Sequence, residues 1–194
     1  MLNLRFETQN TQLIKLNNMD LTNLLGALTG KDAVGAIAEN LNIDSKQVSS
    51  VITNALPSLL GAMQKNASTP GGAEALAKAL GDHAVNAGNI VNNLKGADLV
   101  DGGKILSHIF GGDLNNVLDG ISKKSGVVSG LVSKILASIA PSLLALLGKG
   151  QQSSGVNAGN LAGMLGTILG ATQSKSNSGL GGLLGGLGKL FGGK

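Results

Sequence analysis

Apolar residues along this chain recur at intervals of three and four, and strict alternation is nearly absent. Such spacing lays an apolar stripe along one face of a helix, whereas a half-buried strand needs a period of two. The pattern predicts an all-α, multi-helical bundle, with helices at about 20–28, 32–41, 45–65, 72–80, 86–94, 102–110, 113–124, 128–148 and 157–171. Stops are expected at Gly30, Pro70-Gly71-Gly72, Gly96, Gly111-Gly112 and Gly150, where glycine and proline disfavour further helix.

A second pattern emerges when Lys31–Lys65 is laid without a gap on Asn115–Lys149, a shift of 84 positions. Ile37 then meets Ile121, Val48 meets Val132, Ser49 meets Ser133, and the run Pro57-Ser58-Leu59-Leu60 meets Pro141-Ser142-Leu143-Leu144. Val34 with Leu118, Val51 with Ile135, Ile52 with Leu136 and Met63 with Leu147 keep apolar character. Each unit reads as a short helix, a turn and a long helix with proline in its middle, where the missing N–H and the ring clash predict a bend or break. Two such bent-helix units imply an internal pseudo-duplication.

The ends differ in texture. Residues 1–18 lack the apolar core and small-residue cleavage site of a secretory signal and read as a disordered extension, so a cytoplasmic address is expected. The most apolar run, Ile135–Leu147, contains serine and proline and falls short of the ~20 apolar residues of a bilayer span. Residues 19–150 form the expected all-α domain. From 151 to 194 the chain becomes a low-complexity Gly/Leu/Lys tail, with QQSSG as a linker, a glycine-loosened helix, and the closing run GLGGLLGGLGKLFGGK.

Composition narrows the chemistry. With no Cys, disulfide scaffolds, zinc ribbons and thiol catalysis are excluded. At 2% aromatic residues there are too few flat π faces to stack bases or sugars. Net charge is +4, but residues 1–119 sum to −3 while residues 120–194 hold seven lysines and no acid. That second part is suited to anionic surfaces. Arg5 is the single arginine, so the planar fork that reads phosphate and guanine is scarce.

The segment AIAENLNIDSKQVSSVI, from Ala36 to Ile52, has helix-turn-helix spacing, as does its counterpart through Ile121, Gly126, Val132 and Ile135. The spacing is equally a packing solution for any helical hairpin. Residues 31–65 carry no net charge, whereas 115–149 reach +3, which makes Lys123, Lys124 and Lys134 the candidate phosphate contacts of a nucleoid-type DNA-binding alternative. His83 and His108 read as half-exposed helix residues, because two histidines with scattered Asp do not give metal-ligand spacing. No nucleophile elbow, phosphate loop or dinucleotide fingerprint is present, so no catalytic residue, cofactor or metal is expected.

The succession DLTNLLGALTGKDAV (20–34), ALPSLLGAM (55–63), HIFGG (108–112), SKKSG (122–126) and APSLLALLGK (140–149), followed by a Gly/Leu tail, resembles the YidB-like family of bacterial domains of unknown function. The resemblance implies an all-α fold, a bacterial origin and no assigned activity. Members of that family often carry an acidic DxDxDG-like loop in mid-chain. This chain has GDHAVNAG there (81–88), which lacks the repeated carboxylates of a calcium loop.

The expected function is that of a non-enzymatic interaction or assembly module. A protein partner or a second copy is the foremost partner, weak contact with anionic membrane is subsidiary, and nucleic acid is disfavoured. The candidate contacts in the tail are Leu180, Leu183, Leu184, Leu187, Lys189, Leu190 and Phe191, an apolar set whose Gly-xxx-Gly spacings allow close helix approach in an apolar medium.

Overall fold

The computed structural model describes residues 26–177. Within them lie α1 (Lys31–Leu41), α2 (Ser45–Ala67), α3 (Pro70–Ala84), α4 (Ile90–Lys95), α5 (Leu99–Phe110), α6 (Leu114–Ser125), α7 (Ser129–Ser154) and α8 (Leu161–Asn177). Short 3-10 turns precede α4, α6 and α8, and no strand occurs among the described residues. The all-α expectation holds. The extension at 1–18 and the tail contacts Leu180, Leu183, Leu184, Leu187, Lys189, Leu190 and Phe191 lie outside the described residues.

The two proline-bearing hairpins turn alike. Asn42 between α1 and α2 (φ 53°) and Gly126 between α6 and α7 (φ 73°) are both left-handed, and they stand at matching places in the 84-residue register. The Asn42 N–H donates to the carbonyls of Ala38 and Glu39, and the Gly126 N–H donates to that of Ser122, closing each first helix. Asp44 then caps α2 by accepting from the Lys46 N–H at 2.6 Å. Matched apolar positions are buried in both hairpins: Ile37 and Ile121, Val48 and Val132, Val51 and Ile135, Leu59 and Leu143.

Neither proline breaks its helix. The helical run continues through Pro57 and Pro141, giving α2 23 residues and α7 26 residues. The stop expected at Gly150 is also displaced. Residues 151–154, read from composition as a linker, continue α7 to its cap at Gly155 (φ 63°).

The boundary at 150 therefore falls inside a helix, and the folded unit extends beyond it. Leu161, Leu165 and Ile168 of α8 are buried in the same core as the hairpins, with α8 packed along α2. A Cβ on Gly166 would sit 2.7 Å from the side-chain amide nitrogen of Gln64, where α8 lies against α2. Glycine costs a helix about 1 kcal/mol per position, but each buried leucine returns about 1.5–3 kcal/mol, which offsets the loose sequence.

At the centre runs α7, touched by α3, α5, α6, α2, α4 and α1. From Ile135 to Gly148 every residue except Pro141 is buried, including Ser138, whose hydroxyl donates to the Lys134 carbonyl at 3.0 Å. The stretch Ser129–Ser153 is long and apolar enough to cross a membrane, with mean hydropathy 1.8 over an 18-residue window, but 72% of that window is buried inside the protein. Its apolar character serves the core of the bundle.

Candidate functional site

Two glycines draw neighbouring helices onto α7. A Cβ on Gly102 of α5 would fall 1.9 Å from the Ala137 carbonyl oxygen, and one on Gly148 of α7 would fall 2.0 Å from that of Leu80 in α3. No side chain fits at either crossing. Both α3 and α5 pack chiefly on α7 rather than on one another, and a groove of about 340 Å³ opens between them.

Local sequence explains each wall. On α3, Gly72, Ala75, Leu76, Ala79 and His83 follow the three-four spacing that puts them on one face. On α5, Lys104, Ile105, His108 and Ile109 do the same, and Leu144 of α7 lies between the walls as floor. The α5 wall starts from a capped end, where the Asp98 carboxylate accepts from the Val100 and Asp101 N–H groups at 2.8 and 3.2 Å. At the other end the Asn66 side-chain amide of α2 donates to the Ile109 carbonyl at 3.0 Å, satisfying a terminal acceptor of α5.

The polar groups of the groove are few and placed on its edges. His83 Nδ1 lies 2.9 Å from the Ala79 carbonyl. A carbonyl only accepts, so Nδ1 carries the proton, and Nε2 faces the Asp101 carboxylate at 3.9 Å. Lys104 and His108 stand one turn apart on α5, both exposed and both lining the groove. A second hollow of about 280 Å³ shares Asn66, His108 and Ile109 with the first and adds Lys65 and Asp113. No cluster of three or more metal-ligating side chains occurs among the described residues.

The structure brings together what the sequence kept apart. His83 and His108, read singly as helix residues, line the same groove. Their helical spacing was visible; the shared packing on α7 was not. Lys123 and Lys124 lie in the last turn of α6 and Lys134 in the second turn of α7, all exposed and none lining either hollow. The mid-chain stretch 81–88 closes α3 and forms the 3-10 turn Val85–Gly88.

With this geometry in hand, the class of protein follows from comparison. Residues 23–150 match the family described as bacterial protein of unknown function (DUF937), and the chain belongs to that family. YidB is a member of it, in agreement with the resemblance of the motifs. No curated protein and no solved structure matches the chain. The family match ends before α8, whose apolar face nevertheless completes the core described above.

Proposed function

We propose that this chain is a non-enzymatic binding and assembly module, working in the cytoplasm, that holds partners and transforms none of them. The groove between α3 and α5 carries the reading. It is an open, apolar-floored hollow in the range of ligand sites, with a handful of polar groups on its rim, set on a tightly packed core. The C-terminal segment adds a second contact, toward a protein partner or a second copy and more weakly toward an anionic membrane.

Burial of α7 weighs against the DNA-binding alternative. In the second hairpin α7 would be the recognition helix, which must lay a free face in the major groove. From Ile135 to Gly148 it is enclosed by other helices, and its exposed residues stand in the first turns, up to Lys134, and at its far end, from Lys149. The three candidate phosphate contacts include no arginine.

Affinity capture from bacterial extract, with the full chain, an Ala75→Trp variant and a chain ending at Asn177, tests the proposal. Ala75 is exposed on the groove wall, so tryptophan there fills the groove without entering the core. The expected result is loss of a captured partner with Ala75→Trp, and reduced self-association of the shortened chain by light scattering. Identical capture and identical mass for all three overturn it.

A further inference from the structure

We infer that the groove between α3 and α5 takes a linear acyl chain ending in an anionic group, a fatty-acid carboxylate in its simplest form. The inference rests on the groove being a binding site and names the chemistry of its ligand. Three observations carry it.

The first is the lining. Leu76, Ala79, Ile105, Ile109 and Leu144 offer only hydrocarbon along a hollow of about 340 Å³ between two helices, a shape suited to an extended chain. The second is the sign of the charge that touches the hollow. Lys104 lines it and no carboxylate does, while Lys104 has no ion pair with any described residue. Lys104 and His108, one turn apart, form the edge where an anionic head would rest. The third lies beside the His83–Asp101 contact. Val85, two residues beyond His83, is 82% exposed and Val100, next to Asp101, is 68% exposed. Two large apolar side chains left in water at that end give the chain a place to continue.

The same observations decide against other occupants. The C-terminal run of this chain, or of a second copy, is apolar but carries Lys189 and Lys194 and no acid, so its charge opposes Lys104. An acidic amphipathic helix from a partner would place its carboxylates outside the hollow, where exposed Glu74, Asp82 and Asp101 would meet them. A slender ligand whose one charge stays within the lining escapes that repulsion.

Isothermal titration of the full chain with sodium dodecanoate, and with dodecyltrimethylammonium as a cation of equal chain length, is the test. The expected result is binding of dodecanoate at least about tenfold tighter than the cation. Lys104→Glu should weaken dodecanoate by about tenfold, Lys104→Arg should restore it, and Ala75→Trp should abolish it, with circular dichroism confirming that each variant remains folded. Equal affinity for the two amphiphiles, no affinity for either, or full binding by Ala75→Trp overturns the inference. If dodecanoate fails while Ala75→Trp still loses the captured partner, only the ligand chemistry falls. If Ala75→Trp changes neither measurement, the reading of the groove as a binding site falls with it.

Discussion

α2 and α7 carry proline followed by Ser-Leu-Leu at matching places, yet α2 forms a wall of the bundle and α7 its axis. Their inner faces are buried alike, with Val48, Val51, Leu59 and Met63 as fully enclosed as Val132, Ile135, Leu143 and Leu147. The outer faces differ. Thr53, exposed and donating to the Ser49 carbonyl at 2.8 Å, stands where α7 has buried Ala137. Half-buried Asn54, Ala62 and Gln64 stand where α7 has Ser138, Leu146 and Gly148. One apolar face therefore suffices to form the hairpin. A helix is enclosed when its opposite face also becomes small or apolar, because only then do α3 and α5 pack there without stranding polar groups.

The largest effect is expected from removing residues 151–194. The loss of Leu161, Leu165 and Ile168 from α2 forfeits roughly 5–9 kcal/mol of apolar burial, at about 1.5–3 kcal/mol per side chain. That is comparable with the whole stability of a domain. A chain ending at Gly150 should lose its cooperative thermal transition by circular dichroism; an unchanged melt would make α8 an ornament on the 23–150 unit.

Next come Leu59→Ala and Leu143→Ala, at matched and fully buried positions. Each should cost about 2–5 kcal/mol in urea denaturation, and the two should agree within about 1 kcal/mol. A large disparity would break the equivalence of the inner faces.

The outer faces should separate where the inner faces agree. Gly148→Ala places a methyl group against the Leu80 carbonyl and should cost about 1–3 kcal/mol, whereas Gln64→Ala at the matching place in α2 should cost less than about 1 kcal/mol. Equal costs would mean that the α3–α7 crossing yields freely. The smallest change is Thr53→Ala, expected within about 0.5 kcal/mol by the same measurement, since its side chain is in water.

Several features were legible in the residues alone. The three-four spacing gave the helices, and Asn42 and Gly126, each followed by a renewed apolar pattern, gave the turns. The overlay of Pro57 on Pro141 gave the matched burial of two helices. Other features misled because their meaning depended on neighbours distant in sequence. Gly150 read as a helix stop, but α7 runs past it, and Gly148 just before it is the surface on which α3 rests. The glycines of 159–170 read as loosened structure, but Gly166 lies beside Gln64 and the leucines between them enter the core.

The groove shows the same division. Sequence placed Ala75, Leu76 and Ala79 on one helical face and His108 on another with Lys104 and Ile105, since a period of 3.6 residues fixes which side chains share a face, whereas the continuation of α3 through His83 emerged in the structure. Sequence also determined that a long apolar helix near the end of the chain must be covered, because its hydrocarbon gains by leaving water. Only the tertiary structure decided that protein covers it, and that α3 and α5 do so side by side with a gap between them. That choice depends on the contact of Gly102 with Ala137 and of Gly148 with Leu80, pairs 35 and 68 residues apart. Local pattern states that a face is apolar; which faces meet is set by shape complementarity summed over the whole core.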